Sequence, residues 1–164
     1  MPDDLDIAHL YQGHGHHVLR RARRLLASEE EARDVLQEVF LSLLQSPQQF
    51  ERRSSVTTWL YSVTTHLCLN RIRNQRNRAR LLAQGGVPDE AEPARAETAT
   101  QAAALLALLP DDLAQAAVYY YIDESTHEEI ALLMGCSRRH VGDLLARVKR
   151  HFAETERMQQ ESAT

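Results

Sequence analysis

Residues 128–150 read EEIALLMGCSRRHVGDLLARVKR. The run from Glu128 to Met134 is short and amphipathic, and Gly135, Cys136 and Ser137 interrupt it. A second run opens at Arg138, with Val141, Leu144, Leu145 and Val148 at helical spacing. Thr126 and Glu129 form the pattern of a capping box ahead of the first run, Gly135 suits a left-handed helix end, and Ser137 is placed to cap the second run. The spacing predicts two helices joined by a tight turn. Ile130 and Ala131 face the second helix, and Ala131 is small where two helices cross. Arg138, Arg139, His140 and Asp143 then point outward from the first half of the second helix, with Arg147 and Arg150 farther along. This is the helix-turn-helix pattern, in which such positions reach base edges and later cations reach phosphates. An ordinary helical hairpin would use the same core residues and leave the basic start unexplained.

Working toward the N-terminus, a helix is expected over 111–122 with Leu113, Ala117, Val118 and Tyr121 inward, and a shorter one over 101–109, stopped at Pro110. Residues 84–100 carry Gly85, Gly86, Pro88, Pro93 and several acids without apolar periodicity, the mark of a solvated linker. Three helices are expected before it. The first runs from Ile7 to Ala27, interrupted near Gly13 and Gly15, with Val18, Ala22, Leu25 and Leu26 inward and Arg20, Arg21, Arg23 and Arg24 around the rest. Ser28 and Glu31 form a capping box opening the second, which carries Ala32, Val35, Leu36, Val39, Phe40, Leu43 and Leu44 as an apolar stripe and ends before Pro47. The third, Thr57 to Arg80, is apolar at Trp59, Leu60, Val63 and Leu67 and then basic at Arg71, Arg73, Arg76, Arg78 and Arg80, with no acid between. Such a helix is anchored at one end and offers cations at the other, either to water or to an anionic partner such as nucleic acid. The last helix is expected to end near Phe152, with a loose polar tail from Glu154. The fold class is all-α: two small helical domains, residues 7–83 and 101–153, joined by a flexible acidic linker over 84–100, the second domain a helix-turn-helix.

Composition sets limits on function. Good helix formers dominate, and a hydrophobic content of 43% suffices for packed cores. The formal net charge of -4 does not mark a DNA binder, but acids and bases fall in alternating blocks, which suggests separate faces for separate partners. Free chain is therefore expected to bind DNA weakly. Cys68 and Cys136 form neither a metal motif nor a disulfide framework. The sequence His127-Glu128-Glu129 lacks the second histidine of a zinc hydrolase, because Ala131 stands four residues on. His14, His16 and His17 read as a surface cluster rather than a metal site. No phosphate-cradling glycine loop or partnered nucleophile is present, so neither an enzyme nor a cofactor is expected. Without a long apolar run, no stable membrane insertion is expected, and the protein reads as soluble and cytoplasmic.

Taken together, DVLQEVF (Asp34 to Phe40), WLYSV (Trp59 to Val63), the basic run, the linker, LLP (Leu108 to Pro110) and the helix-turn-helix resemble the extracytoplasmic-function sigma factors of the bacterial sigma-70 family. The resemblance spans residues 10–152 and rests on the order and spacing of these motifs. It implies a non-catalytic transcription initiation factor that binds core RNA polymerase through the beta-prime clamp helices and the beta flap, reads promoter DNA and is held by an anti-sigma factor. Asp34, Gln37, Glu38 and Leu41 would meet the clamp helices. Arg52, Arg53, Ser54 and Ser55, with His66, Asn70, Arg73 and Arg76, would contact the minus-ten element, the first four in a loop that captures a flipped base. Ser137, Arg138, Arg139, His140, Asp143, Arg147 and Arg150 would read minus thirty-five. Trp59 is open between core packing and stacking at the melted junction.

The chain departs from the family pattern at His66 and Asn70, where members often carry Asn and Asp, and at His140, Asp143 and Leu144, where Thr, Ser and Arg are common. An acid at Asp143 repels phosphate but accepts from the cytosine amino group. Two rival readings use the same helix-turn-helix: a regulator that binds operators without core polymerase, and a sigma-like decoy that binds polymerase without starting transcription.

Overall fold

The structure is a computed structural model that describes residues 6–46, 55–85 and 101–164. Among the described residues there are helices and no strands. The chain divides into two compact units, Met1–Ala104 and Leu105–Thr164.

The first unit packs α1 (Ile7–Leu25), α2 (Glu29–Gln45) and α3 (Val56–Ala83), each against the other two. Asp6 caps α1 by accepting from the His9 amide, and α1 runs unbroken through Gly13 and Gly15. A glycine inside a helix costs about 1 kcal/mol relative to alanine. Burial of Val18, Ala22 and Leu25, each worth up to roughly 2–3 kcal/mol for the larger side chains, outweighs two such penalties. Arg21, expected on the outer ring, is buried. Ser28 caps α2 by accepting from the Glu31 amide at 3.3 Å, but Glu31 itself turns inward, is buried, and accepts from Gln75 Nε2 at 2.5 Å. In α2, Ala32, Val35, Leu36, Val39, Phe40 and Leu43 form the core stripe, and Phe40 meets the Tyr11 ring edge-on at 5.0 Å between centroids. Leu44, expected in that stripe, is 59% exposed, on the side of α2 that also leaves Leu41 in solvent three residues earlier.

α3 is turned by about one position from its expected face. Its buried residues are Leu60, Thr64, Thr65, Cys68, Leu69 and Ile72, whereas Val63 and Leu67 are half-buried. The threonines can be buried because their hydroxyls donate to carbonyls one turn back, Thr64 to Leu60 at 2.6 Å and Thr65 to Tyr61 at 2.8 Å. An apolar-only search of the sequence overlooks such positions.

The second unit contains α5 (Asp111–Ala117), which widens into a π-helical turn over Val118–Ile122, then α6 (His127–Met134) and α7 (Arg138–Ser162); α4 (Gln101–Ala107) leads into it. The wide turn is closed by the Asp123 amide donating to the Val118 carbonyl at 3.1 Å. It shifts the helical register, so Tyr119 is fully buried and Tyr121, expected inward, is 50% exposed. Both halves of the capping box between Thr126 and Glu129 form. Gly135 takes φ 64°, and Ser137 accepts from the His140 amide at 3.1 Å. α7 continues ten residues past the expected end at Phe152. Residues 153–162 contain neither Gly nor Pro and hold three Glu, two Gln, one Arg and one Met, all good helix formers, so propensity carries the helix beyond its last packed turn.

A Cβ at Gly135 would meet nothing within 4 Å, so its cost is backbone strain alone. Gly135→Ala should lower the stability of α6 and α7 by about 1 kcal/mol, and Gly135→Asn by less, read from hydrogen exchange of their amides; unchanged exchange would contradict the left-handed turn. Burial pushes the Cys68 thiol up to about 12 from 9.0, opposed by Arg21 and Arg71. In the native protein the thiol should stay protonated and resist maleimide, while half-exposed Cys136 reacts. The folded state holds this proton more tightly than the unfolded state, so the Cys68 contribution to stability falls as pH rises from about 9 toward 12. Labelling of Cys68 at the rate of Cys136 near neutral pH would overturn this placement.

Candidate functional site

Each unit carries one surface that gathers candidate residues. On the second unit, Val141, Leu144, Leu145 and Val148 are the buried spine of α7. Arg138, Arg139, His140, Asp143, Arg147 and Arg150 lie exposed on its other side. Ser137 spends its hydroxyl on the helix cap. Two of the cations carry acids from their own unit: Arg138 pairs with Glu128 of α6 at 3.0 Å, and Arg147 with Asp112 of α5 at 3.8 Å. These pairs are exposed and contribute little to stability, about 0–1 kcal/mol. They hold the guanidinium groups beside α7 without removing them from solvent. The arrangement places a rigid helix with a basic first turn above a packed hairpin, which is the geometry a duplex groove accepts.

On the first unit, α2 and α3 lie side by side with opposite charge. Gln37, Glu38 and Leu41 are exposed on α2 and Asp34 is half-buried. Leu41 is joined in solvent by Leu44, so the acidic face ends in two exposed leucines. On α3, His66, Asn70 and Arg76 are exposed and Arg73 is half-buried, following one side of the helix by spacings of four, three and three. Between the two helices runs a polar groove of about 410 Å³, bordered by Glu31, Glu38, Asn70, Arg71, Asn74, Gln75 and Arg78. Arg71, the first member of the basic run, turns back toward α2 instead of outward. Its guanidinium lies 3.8 Å from Asp34 and 3.2 Å from Glu38.

Of the loop residues assigned to the minus-ten element, Arg52, Arg53 and Ser54 lie outside the described residues. Ser55 is exposed and serves as the cap of α3, accepting from the Thr58 amide at 3.2 Å. Trp59 is half-buried. The helix-turn-helix residues come together on one exposed face of their unit, and the α2 set on one face of α2, as their spacing requires.

One structural residue escaped the sequence. Arg21 donates from Nε and Nη2 to Thr65 Oγ1 at 3.0 and 2.8 Å, and its guanidinium lies 3.7 Å from the centre of the Tyr61 ring. Its signal was its place three residues after Val18 and four before Leu25, on the inward face of α1. Near it a small cavity of about 40 Å³ is bordered by His14, His17 and Leu60 among others. The rings of His16 and His17 lie 3.9 Å apart, and those of His14 and His17 6.4 Å. Partial desolvation, then His16, Arg20 and His14, lower the pKa of His17 and favour its neutral form. Among the described residues, no three His, Cys, Asp or Glu side chains gather as a metal site. No described helix is long and apolar enough to cross a membrane.

Comparison with known proteins addresses both units. Residues 10–78 match Sigma-70 region 2, and residues 100–152 match Sigma-70 region 4, together about three quarters of the chain. The extracytoplasmic-function RNA polymerase sigma factor SigM of Mycobacterium tuberculosis is 25% identical over 144 residues, covering 88% of this chain and 74% of that protein. SigW of Bacillus subtilis, of the same group, is 26% identical over 161 residues, covering 88% and 82%. Among solved structures, the sigma factor RpoE from Bartonella quintana, determined with the anti-sigma factor NepR, superposes with a TM-score of 0.51 at 16% identity, covering 91% of this chain and 95% of that one. CnrH, determined with the cytosolic domain of CnrY, also gives 0.51, at 18% identity and with 96% and 91% covered. At these identities the structural likeness shows the fold alone. The match of the first unit to region 2 favours a sigma factor over an operator-binding regulator, which has no use for that unit. With both regions present in order, the chain belongs to the extracytoplasmic-function sigma factors of the sigma-70 family, which direct core RNA polymerase to promoters and initiate transcription there.

Proposed function

We propose a division of labour by residue. Residues 7–83 dock on core polymerase and open the minus-ten element, 84–100 connect, and 101–153 read minus thirty-five. Asp34, Gln37, Glu38 and Leu41 meet the clamp helices of the beta-prime subunit, with two carboxylates accepting from partner cations around an exposed leucine. His66, Asn70, Arg73 and Arg76, with Arg52, Arg53, Ser54 and Ser55, face the minus-ten strand. Arg138, Arg139, His140 and Asp143 read base edges at minus thirty-five, Arg147 and Arg150 contact phosphates, and Ser137 orients the helix that carries them. The factor works without a catalytic residue of its own and acts in the bacterial cytoplasm. An anti-sigma factor, of the kind determined with RpoE from Bartonella quintana, would hold it inactive by covering these faces.

The observation that carries this reading is the surface of the first unit, where the acids Asp34 and Glu38 of α2 adjoin Arg71 at the start of the cationic half of α3, and exposed Leu41 extends the α2 face. A plain helix-turn-helix regulator needs no such pair of faces. With a formal net charge of -4, the two DNA-facing surfaces depend on the polymerase to bring them to the duplex.

The two assignments separate by substitution in the full chain. Glu38→Ala should weaken core binding by about 1 kcal/mol, roughly fivefold, with promoter binding by the assembled holoenzyme unchanged. Arg139→Ala should leave core affinity intact and weaken promoter binding by about 1–3 kcal/mol. Both are read by fluorescence anisotropy, first with labelled core and then with promoter DNA. Loss of core affinity from Arg139→Ala, or no loss from Glu38→Ala, would contradict the assignment.

A further inference from the structure

We propose that Arg71 is an internal stand-in for the polymerase's cations. It occupies Asp34 and Glu38 in the free protein and passes to a nucleic-acid phosphate when core polymerase takes those carboxylates. This rests on the reading of Asp34 and Glu38 as docking acids.

Three observations support it. The first is where Arg71 points. It begins a basic run, yet Nη1 lies 3.8 Å from Asp34 Oδ2 and Nη2 donates to Glu38 Oε2 at 3.2 Å, so both docking acids converge on it. Free protein thus presents carboxylates already filled by a cation of its own. The second is how firmly they are filled. The Arg71 side chain is 27% exposed and the acids 44% and 50%, so water screens the pair, and it is weak. A partner cation in an interface that excludes water makes the stronger charge-assisted hydrogen bond and displaces it. The third is where Arg71 would go. It borders the polar groove between Glu31 and Glu38 of α2 on one wall and Asn70, Asn74 and Arg78 of α3 on the other, the helix that carries the proposed minus-ten face. Released from Glu38 on the α2 wall, the Arg71 side chain would turn toward the Asn70, Asn74 and Arg78 wall of the same groove. α3 need not shift, because Gln75, one turn on, is tied to buried Glu31.

The exchange makes the two bindings reciprocal. Core binding frees one cation for DNA, and DNA that captures Arg71 uncovers the acids for core. Because the pair is exposed, the coupling is small, about two- to fivefold.

The test uses the full chain, purified core polymerase, and the promoter fragment giving the strongest run-off product. Arg71→Gln removes the competitor, so its affinity for core should rise about two- to fivefold. The assembled holoenzyme should also lose one phosphate contact, lowering the slope of log affinity against log salt by about 1. Arg71→Lys keeps the charge and should restore that slope. A residue that merely staples α2 to α3 would give the opposite first result, with lower core affinity and an unchanged salt slope, and either outcome overturns the proposal. Should Arg71→Gln lose helical circular dichroism, Arg71→Met, which keeps the aliphatic stem and removes the charge, carries the test: raised core affinity with a slope lower by about 1 supports the relay, and reduced core affinity or an unchanged slope overturns it. Glu38→Gln separates the layers. If it leaves core affinity unchanged, the docking reading fails; if it weakens core binding while Arg71→Gln does not strengthen it, only the relay fails.

Discussion

The buried guanidinium of Arg21 is the constraint on which the first unit depends. A charge taken out of water costs several kcal/mol unless its donors are met. Thr65 accepts from both Nε and Nη2, and the Tyr61 ring lies 3.7 Å away to receive the cation on its face. Both partners are on α3, one turn apart, so the contact fixes how α3 is rotated against α1. That rotation determines the rest of the surface. It buries Leu60, Thr64, Cys68 and Ile72 and sends His66, Asn70 and Arg76 to solvent. A rotation of one residue would aim a different set of side chains at DNA.

Charge is arranged with similar economy in both units. Each surface assigned to a partner carries cations steadied by acids from its own fold: Arg71 by Asp34 and Glu38, Arg138 by Glu128, and Arg147 by Asp112. Exposed pairs of this kind add little stability, so their effect falls on binding. They offset the cationic surface a phosphate backbone would meet, in keeping with a chain whose net charge is negative. A sigma factor that directs the polymerase to promoters as part of the holoenzyme can share the work of DNA binding with that enzyme.

Much of this was legible in the sequence, and the failures have physical causes. Caps and turns were read correctly wherever the chemistry is local, as at Thr126, Gly135 and Ser137, whose partners lie within a few residues. The Ser28 and Glu31 box was half right, because Glu31 found a tertiary partner in Gln75. Tyr119 and Tyr121 exchanged places since a π-helical turn breaks the 3.6-residue period on which the reading relied. Arg21, Thr64 and Thr65 were missed because polar side chains satisfied by distant or backbone partners carry no hydropathy signal. The exposed faces of α2 and α7 were the easiest to read, since the apolar stripe that defines the core also defines its reverse.

As a sigma factor, this chain turns core polymerase into an initiating enzyme. Run-off transcription with purified core on fragmented genomic DNA tests it most directly. Discrete start sites should appear only when the chain is added and vanish when it is left out. Binding of core without any discrete start site, or DNA binding that needs no polymerase, would contradict it.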